Sequence, residues 1–260
     1  MPGDLAFALE LADVADVLTM ERFGAADLKV ETKGDLTPVT DADRAVEEAL
    51  RRRIATQRPG QAVVGEEMGD AGCGAGASTR WIVDPIDGTK NYLRGVPVWA
   101  TLIGLERDGR VVVGVVSAPA LGRRWWAARG EGAWAGSRRI GVSGVASLQD
   151  AFLSYDSVVG FETHSLGDGF LALARRCGRT RAYGDFWSHM LVAEGAIDIA
   201  VEPEVALWDV AAIQVIVEEA GGRFTDLAGR ARPDGGSAVS TNGLLHDEVL
   251  AGLGAGGGGG

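Results

Sequence analysis

The chain is 260 residues long, 46% hydrophobic and 23% charged, with a formal net charge of −11. That balance is ordinary for a soluble globular protein with room for a substantial core. Its acidity argues against nucleic acid as a partner, because phosphate backbones are held by clustered Lys and Arg, and no apolar run is long enough to cross a bilayer.

The first segment, "MPGDLAFALELADVADVLTMERFG", lacks a basic region and is interrupted by acids, so a signal peptide is not expected. Leu5, Leu9, Ala12, Val14 and Leu18 recur at roughly helical spacing and predict a helix over residues 4–23 with Asp4 as its N-cap. A second helix follows in "TPVTDADRAVEEALRRRIATQRPG". Thr40 with Asp43 three residues on makes a capping-box-like start, and Pro59-Gly60 ends the helix. The short strand "AVVG" then runs into Glu66-Glu67. A glycine-rich loop, "MGDAGCGAGAST", separates it from the apolar strand "RWIVD". In "WATLIGLERDGRVVVGVVSAPA" the dipeptide Asp108-Gly109 between alternating apolar runs predicts a hairpin, and "RRWWAARGEGAWAG" continues that sheet.

The second half alternates strands ("AFLSYD", "TRAYGD", "AIDIAVEP", "SAVSTN") with helices ("GFLALARRCG", "FWSHMLVAEG", "ALWDVAAIQVIVEEAGG", "LLHDEVLAGL"). This order indicates a layered α/β architecture. With no internal repeat and no Pro- or charge-rich linker, residues 1–253 are expected to form one domain, followed by a disordered Gly-rich tail over 254–260. Cys73 and Cys177 are the two cysteines; they make no disulfide framework and suit a reducing cytoplasm.

Carboxylates fall at the ends of several of these elements. Asp41 opens a helix, Glu66 follows a strand, Asp84 and Asp87 follow the next strand in "DPIDGT", and Asp209 lies at the start of a late helix. Strand ends are where ligands bind in α/β folds. Alone, Asp41 and Asp209 read as N-caps, and "DPIDG" reads as a turn. Together they read as a metal and phosphate site. Mg²⁺ takes carboxylate, carbonyl and water oxygens along with substrate phosphates. Pro85 fixes the turn, and Gly88-Thr89 begins a helix whose unpaired N–H groups attract phosphate. His164, His189 and His246 have no credible metal partner and are assigned structural roles. No zinc pattern, P-loop, GxGxxG or GxSxG motif occurs.

"GEE" (65–67), "DPIDGTKN" (84–91) and "WDVAA" (208–212), in that order and spacing, resemble the inositol monophosphatase family of Mg²⁺-dependent phosphatases. Similarity of pattern runs from "TPVTDAD" to "EEAGGRFTD". The resemblance implies an α/β fold built as a layered αβαβα sandwich, like that of inositol monophosphatase and fructose-1,6-bisphosphatase. It also implies a homodimer, two or three Mg²⁺ ions per active site, and in-line attack by water without a covalent phosphoenzyme. Residue by residue, it implies Glu66, Asp84, Asp87 and Asp209 as metal ligands together with the backbone carbonyl of Ile86. Asp41 and Thr89 become the pair that, with Glu66, orients the water, and Gly88 and Thr89 the phosphate-binding backbone. Lys90 stands where a second threonine is common in the family, and Tyr92 where phenylalanine is common; neither removes a ligand.

Between the motifs, "LTPVTDADRAVE", "RGVPVWA", "SAPALGRRWWAARG" and "RAYGDFWS" resemble the histidinol-phosphate phosphatases of this family. The substrate-facing positions implied are Asp87, Arg181, Asp185 and Glu202, so the expected partner is a small phosphate ester. Carboxylates at 185 and 202 suit a tail carrying an ammonium and an imidazole, whereas inositol or another sugar phosphate needs neutral groups. Asp185 reads equally well as the N-cap of "FWSHML". An inactive regulatory relative would have lost a ligand, and none is missing. Trp81, Trp125, Trp126, Trp134 and Trp208 are expected in the core or an interface, with Trp99 the tryptophan considered near a ligand.

Overall fold

A computed structural model describes residues 2–34, 37–71 and 78–254. Cys73 with most of its glycine-rich loop, and the tail from residue 255 on, lie outside the described residues. In chain order the elements are α1 (Pro2–Arg22), β1 (Val30–Thr32), β2 (Pro38–Thr40), α2 (Asp41–Gln57), β3 (Ala62–Gly65), β4 (Gly69–Ala71), β5 (Thr79–Asp87) and α3 (Thr89–Leu93). A meander follows: β6 (Ala100–Arg107), β7 (Arg110–Ala118), β8 (Arg123–Ala128), β9 (Ala133–Ala135) and β10 (Arg138–Ile140). The second half holds β11 (Phe152–Tyr155), α4 (Val158–Thr163), α5 (Gly167–Arg176), β12 (Arg179–Arg181), α6 (Asp185–Ala193), β13 (Ile199–Glu202), α7 (Leu207–Glu219), β14 (Arg223–Thr225), β15 (Ala238–Thr241) and α8 (His246–Gly252).

Among the described residues the strands form an eight-stranded sheet, ordered β10-β9-β8-β7-β6-β5-β3-β4, a five-stranded sheet, ordered β12-β11-β13-β15-β14, and a small antiparallel β1-β2 pair. The apolar patterning stacks these sheets with helices. Leu11 of α1 and Leu50 and Ile54 of α2 pack against Trp81, Ile103 and Val115 on one face of the larger sheet. On its other face Met190 of α6 and Val210, Ile213 and Val217 of α7 meet Leu102, Val116 and Trp125, with Phe224 and Ala238 of the smaller sheet beyond. Phe161, Phe170 and Val249 of α4, α5 and α8 close the far face over Leu153, Ile199 and Val239. The result is the αβαβα sandwich. Because α7 lies between two sheets, Val210 to Val217 are buried all round it. Its close approach needs Gly114 on β7, where a Cβ would stand 2.4 Å from the Ala212 carbonyl oxygen.

Several local expectations can be compared directly. Thr40 caps α2 in a full capping box: its hydroxyl accepts from Ala42 and Asp43 N–H, and Thr40 N–H donates to Asp43 Oδ2 at 2.8 Å. Asp108 and Gly109 form the β6–β7 turn with φ of 50° and 75°. Asp4 is not an N-cap, because α1 begins at Pro2 and the Asp4 carboxylate instead accepts from Arg107 at 3.0 Å. Trp99 is not at a ligand surface; it is fully buried against Phe23 and Tyr92. No helix among the described residues is long and apolar enough to cross a membrane.

Candidate active site

The chain leaves β5 through a bulge. Asp84 pairs with Leu102 and Asp87 with Ala100, so Pro85 and Ile86 are squeezed out of register. The bulge is held from inside: Asp84 Oδ1 accepts Ile86 N–H at 3.0 Å, Thr101 donates to the Pro85 carbonyl at 2.7 Å, and Thr89 donates to the Ile86 carbonyl at 2.9 Å. Gly88 turns the chain into α3 with φ 81°. A side chain there would meet the Val98 carbonyl oxygen at 3.0 Å, so this left-handed position calls for glycine.

Other elements bring further acids to this turn. Carboxylate oxygens of Asp84, Asp87 and Asp209 lie within 4.8 Å of one another. Asp209 comes from the first turn of α7, where its Oδ2 accepts Ala206 N–H at 2.7 Å. β3 runs parallel to β5 with Gly65 opposite Val83, which sets Glu66 level with Asp84. Burial, then repulsion from Glu66, Asp87 and Asp209, holds Asp84 well above the usual carboxylate range. Asp87 is raised by burial and by Asp185 and Asp209, and Asp209 is pushed up to about 7 mainly by burial. A cluster this crowded and buried is unfavourable without positive charge among it. Lys33 supplies part of that charge, with its Nζ 2.8 Å from Glu66 and 2.6 Å from Glu67. Burial pulls this ammonium down, but the two carboxylates outweigh it and hold it above its ordinary value.

Next to the cluster lies a cleft of about 120 Å³, lined by Asp156, Asp185, Phe186, His189, Glu202 and Glu204. The backbone N–H of Phe186 donates to Asp87 Oδ2 at 2.8 Å, tying the head of α6 to the β5 turn. Asp185 is not the N-cap of α6: Gly184 takes that position, and Asp185 has φ 49° and accepts from Asn91 at 3.1 Å. Burial and the charge of Asp156 raise Asp185 to about 6, while Lys90 lowers it. Glu202 is held well above its usual range by burial, then by Asp185, Asp156 and Asp209.

Glu66, Asp84, Ile86, Asp87, Gly88, Thr89 and Asp209 therefore converge, with Asp185 and Glu202 beside them. One expected residue stands apart. Arg181 is exposed on the edge strand β12, donating to the Thr180 carbonyl, and is not part of the cleft wall. Asp41, at the start of α2, accepts from Arg22 at 3.1 Å through one oxygen, and its other oxygen is buried without a partner, while the Thr89 hydroxyl donates to Ile86. Asp43, read from the sequence as a cap, is fully buried and lifted to about 6, chiefly by burial and with a contribution from Glu66. One of its oxygens has no partner. Ala42 beside it packs with Ile86 and Tyr92, so this helix start abuts the β5–α3 turn. From the sequence Asp43 reads as a cap residue and His189 as structural, while Lys33 and Asp156 carry no local signal. The T-D-A-D spacing, offering two acids, was the signal available for Asp43.

The sequence profile described as the Inositol monophosphatase family matches residues 4–254. The chain is 60% identical over 258 residues to the histidinol-phosphatase of Mycobacterium tuberculosis, covering 97% of this chain and 98% of that one. It is 56% identical over 256 residues to the histidinol-phosphatase of Streptomyces coelicolor, covering 95% of each. Among solved structures, the IMPase of Thermotoga maritima superposes with a TM-score of 0.86 at 32% identity, covering 97% of both chains.

Proposed function

The chain belongs to the inositol monophosphatase family, and from that membership we propose that it is a Mg²⁺-dependent phosphatase hydrolysing L-histidinol phosphate to L-histidinol and phosphate. The observation that carries the substrate is the charge of the cleft. Asp156, Asp185 and Glu202 gather beyond the Asp84–Asp87–Asp209 cluster, and a tail with an ammonium and an imidazole offers them charge-assisted partners. Inositol, all hydroxyls, would leave these carboxylates uncompensated. The two highly similar histidinol-phosphatases support the same substrate. The corresponding setting is histidine biosynthesis in the cytoplasm, by a homodimer.

Asp84, Asp87, Asp209, Glu66 and the Ile86 carbonyl would hold two or three Mg²⁺ ions. The donors are all oxygen, as a hard cation prefers, and their raised carboxylates mark a place that favours positive charge. When bound, Mg²⁺ offsets phosphate charge, eases ionisation of water and stabilises the leaving alkoxide. The chain's own groups do the positioning. Gly88 and Thr89 offer their backbone N–H groups at the start of α3 to phosphate oxygens. Glu66 and the Thr89 hydroxyl orient the attacking water, and an acid of the 41–43 turn receives the proton passed through Thr89. Asp41, the acid the family pattern implies, and Asp43 each keep one oxygen without a partner; the other is held by Arg22 in Asp41 and by Thr40 in Asp43. No side chain is set up as an activated nucleophile, so displacement by water is direct.

A phosphate-release panel of histidinol phosphate, inositol 1-phosphate and fructose 1,6-bisphosphate, run with Mg²⁺ and with excess EDTA, tests this reading. Histidinol phosphate should have the highest kcat/KM, and chelation should abolish turnover. Preference for inositol 1-phosphate, or full activity in EDTA, would refute it.

A further inference from the structure

We infer that His189 is a positioning residue for substrate selection, anchoring Glu202 so that the other carboxylate oxygen meets the cationic tail. The inference rests on the substrate reading above. His189 lies on α6, fully buried, yet its ring borders the cleft. Nδ1 is tethered to Ser240 Oγ of β15 at 2.7 Å. Nε2 has no hydrogen-bond partner, and 3.6 Å away Glu202 Oε1 has none either. Buried polar atoms are nearly always paired, and here two complementary ones face each other just beyond hydrogen-bond length.

The facing carboxylate decides which nitrogen carries hydrogen, and the Ser240 hydroxyl can serve either ring form. The N–H therefore falls on Nε2, the atom facing Glu202, with the Ser240 hydroxyl donating to Nδ1. The opposite tautomer would aim a lone pair at a carboxylate. Burial also keeps this imidazole neutral, lowering it to about 4. A neutral donor holds Glu202 without cancelling its charge, whereas a lysine or arginine in the same place would consume it. Asp156 and Asp185 both act on Glu202 with like charge, so an unanchored carboxylate would turn away from them and lose its aim.

The test compares kcat/KM for histidinol phosphate with that for 4-nitrophenyl phosphate in the wild type and in His189→Leu, His189→Asn and His189→Gln. The Gln amide reaches the place of Nε2; the Asn amide reaches that of Nδ1. The selectivity ratio should fall about ten-fold in the Leu and Asn variants, mainly through KM for histidinol phosphate, and recover to within about three-fold in Gln. If His189→Leu does not fold, Gln against Asn decides alone. A wild type that favours histidinol phosphate, with a ratio unmoved by His189→Leu or with Gln no better than Asn, overturns the role of His189 and leaves the substrate reading intact. A wild type without that preference overturns both.

Discussion

Asp87 and Asp209 each have two oxygens and two tasks. One oxygen of each accepts a backbone N–H at a helix start, Phe186 for Asp87 and Ala206 for Asp209, which leaves the other for the acidic cluster. In the sequence, N-cap and ligand compete as explanations of Asp209; in the structure Ala206 is the N-cap, and Asp209, at the third helical position, accepts its N–H while also joining the acidic cluster. Asp209→Asn should keep an acceptor for Ala206 while removing a charge. Far-UV circular dichroism should therefore match the wild type while kcat falls about 100-fold or more. Asp209→Ala should in addition lose about 1 kcal/mol of stability with the cap, read from urea unfolding. Wild-type turnover in Asp209→Asn would remove it from the ligand set. Asp84, Asp87 and Asp209 were legible as candidate ligands because their motif spacing is distinctive. Lys33 was not, since a lysine in a polar loop carries no sign of the two glutamates that folding brings to it.

The turn between β5 and α3 is the element on which the site depends, and its conformation is specific to its sequence. Gly88→Ala places a side chain at φ 81° and 3.0 Å from the Val98 carbonyl oxygen. The strain should cost about 1–2 kcal/mol and disturb the first N–H groups of α3. The expected outcome is a lower urea midpoint together with a raised KM for phosphate esters. An unchanged midpoint would mean that the turn relaxes freely. Elements of this kind were readable where a local signal was strong, as in the Thr40–Asp43 capping box and the Asp108-Gly109 hairpin. Strands β1, β2, β10 and β14, three residues each, give no sequence signal because so short a run has no measurable period, and β4 occupies the start of the segment that reads as a glycine-rich loop. α7 shows no polar face because both sides are covered, so only its length and the closing Gly221-Gly222 marked it as a helix.

At the scale of the whole molecule, the buried acids make stability depend on pH in an unusual direction. Asp43 and Asp185 titrate near 6 in the fold, and Glu67 and Asp209 near 7; unfolded carboxylates titrate near 4. A raised folded value means that the fold binds the proton more tightly. Its contribution is fully present below about pH 4 and is lost as pH rises through 6 to 7. His189 and His246, lowered to about 4, act oppositely between about 4 and 6.5, but they are outnumbered. In EDTA the Tm should therefore fall from pH 5 to pH 8. Mg²⁺ should raise it by an increment that grows with pH, since binding needs ionised ligands. A chelated protein whose Tm climbs across that range would contradict the assignment. The layering has a further consequence. The β5–α3 turn belongs to the larger sheet, whereas the cleft proposed for the tail is walled by α6, in the layer between the sheets, and by the end of β13 in the smaller sheet. Mutation can therefore redraw the recognition wall while the proposed reaction apparatus is inherited unchanged, except at Asp87 and Asp209, which belong to the acidic cluster and also line the cleft. Substrate range can drift in this architecture while the chemistry stays fixed.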